Sequence, residues 1–349
     1  MSYKIYPSRM GWFISFSLFL IKANVFAQSD TLAVSQFKNG DYTHAINTCK
    51  ELLKANKNDT LAYFYRGLSE EATKDYSGAR SDFKKISELL PKDAEIYFKL
   101  GVLWSETEDY YHSIKEFTKA IGLDSSYAVA YNNRGNSEYM VGDAKSALKD
   151  FTVAAQKDST YPDPYYNRGH LRMVLGDFKD AITDFTLDLR LSPDDADGWF
   201  CRGQCYDNSK DTIAALNDYS NTIQIDSTYM DAYYFRGCDR LKINDARGAA
   251  NDFTFLIMDD STEFLPYELR GIANDSLCNY KEAIIDFTKA IKLNDEDGQS
   301  YLGRGFAYIK TGDKEKACDD FNSAAYYEIS GANEYISQYC RRKVHVYWR

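Results

Sequence analysis

The sequence predicts an all-α protein, a solenoid of helix-turn-helix repeats closed by a C-terminal capping helix. Three observations carry this. A Tyr or Trp recurs every 34 residues (Tyr63, Tyr97, Tyr131, Tyr165, Trp199, Tyr233, Tyr267, Tyr301), with a Gly four residues after each, from Gly67 to Gly305. Twelve residues beyond the Gly lies a small residue (Ala79, Ser113, Ala147, Ala181, Ala215, Ala249, Ala283, Ala317), and four further on an aromatic (Phe83, Phe117, Phe151, Phe185, Tyr219, Phe253, Phe287, Phe321). Between the two halves stands an Asp or Asn, from Asp41 through Asp75 and Asn279 to Asp313. A period of this length with those offsets describes two antiparallel helices joined by a tight turn.

Each element follows from its residues. In the first helix of a repeat, helix A, the Tyr/Trp and the Gly lie about one turn apart on one face. In helix B the small residue and the aromatic do the same. Gly facing Ala lets the backbones approach, and the rings fill the space beside them. The Asp or Asn between them suits an N-cap, because its side chain accepts from the free N–H groups that open helix B. Gly40, Gly142, Gly176 and Gly312 precede it in four repeats, ready to end helix A in a left-handed conformation. Pro91, Pro193 and pairs such as Asp124-Ser125 and Asp226-Ser227 close helix B. A degenerate first copy (Ala33, Ala45, Cys49) keeps the frame, so residues 28–331 hold nine repeats. One hairpin cannot bury both of its faces, so the repeats must stack.

Residues 332–349 read as a cap and a basic tail. A final helix over about Ala332–Lys343 would present Tyr335, Ile336, Tyr339 and Cys340 to the last core face, and Arg341, Arg342 and Lys343 would complement its dipole. The alternative is a docking tail extending to Tyr347, Trp348 and Arg349.

On these residues the chain resembles the tetratricopeptide repeat (TPR) family over roughly residues 28–330. The resemblance implies a right-handed superhelix whose concave face, lined mainly by helix A, holds a peptide or partner protein. One departure is consistent. Arg66, Arg134, Arg168, Arg202, Arg236, Arg270 and Arg304 precede the Gly where the family often has Leu, and sixteen residues after each comes Asp82, Asp150, Asp184, Asp218, Asp252, Asp286 or Asp320. Repeat one lacks both partners (Leu32, Thr48), and repeat three lacks only the Arg (Leu100, Glu116). This co-occurrence predicts an ion pair between helix A and helix B. Copying of one ancestral unit would explain the repetition but not the joint loss in repeat one.

The family's geometry also implies which helix A positions face a ligand. In repeats four to six these are Asn132 and Asn136, then Tyr166 and His170, then Phe200, Gln204 and Asp207, edged by Asp163, Asp197 and Asp231. Such aromatic and amide side chains suit an extended peptide, and the acids suit a segment carrying Lys or Arg. Tyr and Asn are common at these places in tetratricopeptide units whatever they bind. The frame that clamps a carboxylate in some relatives holds no cation here, running from Asp30 through Phe64 and Glu268 to Leu302.

Residues 1–27 read as a secretory signal peptide. Lys4 and Arg9 precede the uncharged run Gly11–Ile21, and small residues stand before a cut between Ala27 and Gln28. A retained anchor is the other reading, although the run is about half the roughly 20 residues a spanning helix needs. The Ala-Gln cut resembles that of secreted proteins of Bacteroidetes-type Gram-negative bacteria, which places the mature chain in the periplasm, cell envelope or outside. Without residues 1–27 the chain carries 39 Lys and Arg against 52 acids, a formal −13. That acidity argues against nucleic acid, whose phosphates need basic neutralisation, and permits basic partners.

No chemistry stands out. His44, His112, His170 and His345 are scattered, and no G-x-S-x-G, H-E-x-x-H or Walker loop is present. Seven cysteines at these spacings form no evident disulfide framework, and small buried hydrophobes are the expected role for most. The sequence therefore reads as a non-catalytic, protein-binding scaffold without cofactor or metal. A structural or assembly component of an outer-membrane or secretion complex is the alternative, with an enzyme or glycan-binding accessory behind both.

Overall fold

The structure, a computed structural model, describes residues 28–340, so residues 1–27 and the tail beyond Cys340 lie outside the described residues. Those described fall into two compact bodies divided between Pro193 and Asp194.

The N-terminal body stacks five helix pairs: α1 (Gln28–Lys38) with α2 (Tyr42–Ala55), α3 (Thr60–Ala72) with α4 (Tyr76–Leu89), α5 (Ala94–Ser105) with α6 (Tyr110–Leu123), α7 (Ala128–Met140) with α8 (Ala144–Lys157), and α9 (Asp163–Val174) with α10 (Phe178–Leu191). The C-terminal body stacks four: α11 (Ala196–Asn208) with α12 (Thr212–Ile225), α13 (Met230–Lys242) with α14 (Ala246–Asp259), α15 (Leu265–Ser276) with α16 (Tyr280–Leu293), and α17 (Gly298–Thr311) with α18 (Lys314–Tyr326). This is the expected all-α solenoid of antiparallel pairs, ended by a cap.

The repeated residues do what their spacing requires. A Cβ on Gly101 would stand 2.6 Å from the Phe117 ring, and one on Gly237 would stand 2.7 Å from Phe253, so only Gly admits the helix B aromatic there. Seven of these aromatics have 2% exposure or less and Tyr219 is equally buried, which makes this column the spine of both cores. Asp41, Asp75, Asp109, Asp143, Asp211, Asp245 and Asp313 cap helix B through their side chains, each accepting from a backbone N–H three residues on. Asp177 and Asn279 hold the same backbone place without that bond. The left-handed residue before the cap is Gly in four repeats and Lys74, Glu108, Lys210, Asn244 or Cys278 in the others.

All seven expected ion pairs form. In each, Nε and Nη2 of the Arg donate to the two oxygens of one Asp, as in Arg134–Asp150 at 2.6 and 2.9 Å and Arg304–Asp320 at 2.8 and 2.7 Å. The Asp residues are buried. The periodic Tyr or Trp lies under the guanidinium three residues on, at 4.7 Å for Trp199 and 5.5–5.7 Å for the tyrosines. In Arg134, Arg168, Arg236, Arg270 and Arg304 the third guanidinium nitrogen reaches back to a hydroxyl of the preceding helix B, for example Arg134 to Thr118 at 3.1 Å and Arg270 to Thr254 at 3.2 Å. One Arg thus ties three helices. Repeat three compensates locally, since Lys119 pairs with Glu116 at 2.8 Å and lies over Tyr97.

The cap differs from expectation in two ways. After Gly331 it runs as one α-turn, α19 (Ala332–Tyr335), and then as a π-helix over Ile336–Cys340. Tyr335 of the α-turn and Tyr339 of the π segment both meet Phe321, with Tyr335 also on Phe306. Cys340 is moreover joined to Cys318 of α18 by a disulfide. The spacing did not announce this pair, because the two cysteines, 22 positions apart, meet only through the turn at Gly331. The expected continuation to Lys343 and the basic tail lie outside the described residues.

Candidate functional site

In the N-terminal body the candidate residues lie on the neighbouring helices α7 and α9. Asn132 is fully buried, which corrects its expected place in an open groove. Its Nδ2 donates to the Tyr161 hydroxyl at 3.2 Å, and its Oδ1 accepts from Asn167 at 3.0 Å. Tyr161 in turn donates to Asp163 at 3.0 Å. Burial pushes the Tyr161 hydroxyl well above its ordinary range, so it remains a neutral donor. Asn132 and Asp163 therefore fix the approach of α9 to α7.

Asn136, Tyr166 and His170 are half-buried. The Tyr166 ring meets Phe185 edge-on at 5.7 Å and stacks on His170 at 6.3 Å. Burial lowers the His170 pKa below its ordinary value, so its ring is a neutral hydrogen-bonding group at neutral pH.

In the C-terminal body Phe200 is 7% exposed, boxed by Tyr219, Tyr229 and Phe235 at 4.8–5.7 Å. It is a core residue, not a presented ring, and that expectation is corrected. Tyr229 does the covering from the linker before α13, and its hydroxyl donates to Asp197 at 3.0 Å. Linker tyrosines act alike elsewhere, since Tyr127 covers Phe98 at 5.0 Å. Their signal was present in the sequence, as Tyr127, Tyr161 and Tyr229 each stand four residues before a periodic Tyr.

Gln204 is half-buried and Asp231 exposed. Asp207 accepts from the Tyr219 hydroxyl at 2.9 Å and from Lys242 at 3.2 Å. Of the ten candidates, Asn132 and Phe200 are thus internal, Asp163, Asp197 and Asp207 are half-buried acids that accept from neighbouring side chains, Asn136, Tyr166, His170 and Gln204 are half-buried, and Asp231 is exposed.

Among the described residues no group of His, Cys, Asp or Glu could hold a metal ion. No helix among them is long and apolar enough to cross a membrane.

Tetratricopeptide repeat profiles match residues 31–94, and again 94–127 and 298–328. No curated protein matches the sequence. Among solved structures, the C-terminal part of a TPR repeat-containing protein from Cytophaga hutchinsonii is similar with a TM-score of 0.54 at 16% identity, over 78% of this chain and 98% of that one. Pseudomonas aeruginosa pilF is similar with a TM-score of 0.51 at 20% identity, over 58% of this chain and 92% of that one. PilW, a type IV pilus biogenesis factor, gives 0.50 at 20% identity, over 58% and 93%. At these identities the likeness is one of fold.

Proposed function

The repeat matches support membership of the tetratricopeptide repeat family, and from that premise we propose that the chain is a non-catalytic scaffold. It binds an extended segment of a partner protein along its helix A faces. The observation that carries this reading is the Tyr166–His170 stack on α9. It is a half-buried aromatic–imidazole surface with Asn136 on the neighbouring helix, and the stacking of the repeats does not require the imidazole. Such a surface offers apolar area together with neutral hydrogen-bonding groups, the combination that anchors peptide side chains. The exposed Asp231 and the formal excess of acids favour a partner segment bearing Lys or Arg.

Export is part of the proposal. The residue after the expected cut, Gln28, opens α1, so loss of residues 1–27 would leave every repeat intact. The Cys318–Cys340 bond suits an oxidising compartment. N-terminal sequencing of the exported protein tests the cut, and an intact Met1 would sink it.

Binding is tested in two steps. A crosslinked pull-down with the tagged chain supplies a partner, and that purified partner is titrated against Tyr166→Ala/His170→Ala. Loss of affinity with unchanged helicity supports the site. Undiminished affinity would move it off α9.

A further inference from the structure

One place in the C-terminal body departs from the repeat at two core positions at once. The helix B aromatic is Phe in seven repeats but Tyr219 in repeat six. Its hydroxyl donates to Asp207 of α11 at 2.9 Å. On α13, Asp239 stands where other repeats have Leu103, Ser137, Leu171, Cys205 or Ala273. It has no exposure, and its Oδ2 is buried without a hydrogen-bond partner. Lys242 lies across both acids, at 2.6 Å from Asp239 and 3.2 Å from Asp207.

A stacking interface needs none of this. Phe and Ala or Leu would fill the same space without desolvating two carboxylates, a substitution that often leaves stability unchanged or improved. Two carboxylates facing one ammonium leave one negative charge uncompensated and one buried acceptor oxygen unused. Lys242 itself is 57% exposed, so its head can turn into water and keep its hydration.

We propose that Asp207 and Asp239 form a recognition subsite for an arginine side chain of the bound segment, and that the Lys242 ammonium fills it in the free protein. The proposal rests on the scaffold reading and names the chemistry of one contact within it. A planar guanidinium carries enough donors to bridge carboxylates on two helices, including the oxygen that a lysine head leaves unpaired. Burial, aided by Asp207, raises the Asp239 carboxyl to about 6, in keeping with a site short of positive charge. The same Asp–Lys spacing recurs at Asp275 and Lys310, but there the deep acid is replaced by Ala307 and the tyrosine by Phe287. That pair is the internal control.

The test is a calorimetric or NMR titration of the whole chain with N-acetyl-argininamide, against N-acetyl-glycinamide as the uncharged probe. Saturable binding of the arginine probe is expected, strengthened about tenfold in Lys242→Met, which removes the resident ammonium. It should be lost in Asp207→Asn and retained in Asp275→Asn. Asp207 is partly exposed, so its variant is expected to fold even where Asp239→Asn does not. No saturable binding by either wild type or Lys242→Met would overturn the subsite, as would binding indifferent to Asp207→Asn. Either failure leaves the Tyr166 and His170 titration standing, so the two readings fail separately.

Discussion

The ion pair between Arg134 and Asp150 is the sharpest test of what holds a repeat together. Asp150 is 3% exposed and receives two short guanidinium bonds, while Arg134 also bonds Thr118 and lies over Tyr131. Arg134→Leu strands Asp150 beside Glu138, so a loss of about 3–5 kcal/mol is expected. Asp150→Leu leaves a guanidinium that still has Glu138 at 3.8 Å and a route to solvent, so its cost lies toward about 3 kcal/mol. The double variant removes both charges and fills the gap with apolar atoms, at a cost of about 0–2 kcal/mol. The singles sum to about 6–8 kcal/mol and overshoot the double, a coupling of about 4–8 kcal/mol. Urea titrations followed by circular dichroism measure all four proteins, and equal slopes are required before midpoints are compared. A coupling below about 0.5 kcal/mol would refute the staple, whatever its geometry.

Three further outcomes follow from the same structure. The Glu138 carboxyl is raised to about 7, chiefly by burial and then by Asp150, and its Oε2 has no partner. The folded state thus binds that proton more tightly than the unfolded chain, so its contribution to stability grows as pH falls from about 7 toward the ordinary 4.5. Glu138→Gln should stabilise by about 1–3 kcal/mol near pH 8, with the gain vanishing by about pH 4, and a pH-independent gain would contradict this. Lys210 sits at φ 64 in the turn where other repeats place Gly, so Lys210→Gly should stabilise by roughly 0.5–1 kcal/mol while Gly142→Ala destabilises. Thermal melts check both signs. Cys318→Ser should cost about 3 kcal/mol by the chain-entropy argument and raise amide exchange over residues 332–340, and unchanged exchange there would show that the aromatic contacts alone hold the cap.

The repeat frame was legible because it is written in residue types whose physical role lies within one repeat: a Gly under a ring, an Asp before a helix, an Arg sixteen residues before its acid. What stayed hidden depends on neighbours outside the repeat. Phe200 reads as a presented ring when α11 is considered alone, but Tyr229 of the next linker closes over it. Asn132 reads as a groove amide until Tyr161 and Asn167 consume both ends of it. Lys119 rescues repeat three from helix B, where an Arg-centred pattern does not look. The Cys318–Cys340 bond follows from a chain reversal at Gly331 that spacing alone does not encode.

A chain of nine similar repeats offers its own background against which function can be sought. Phe83, Phe117, Phe151 and their equivalents each solve the same packing problem, so they carry no information about a partner. Tyr219 breaks that column, and Asp207, Asp239 and Lys242 gather around its hydroxyl. Burying two acids there gains nothing that a Phe and an Ala would not supply. The departure therefore needs a cause outside packing, whereas the Arg–Asp staples need none, because one guanidinium balances one carboxylate and bonds both of its oxygens. On that contrast, ligand contacts should concentrate where a repeat abandons the common solution at a position still reachable from water. Lys242 reaches that surface and Asp239 lies directly beneath it.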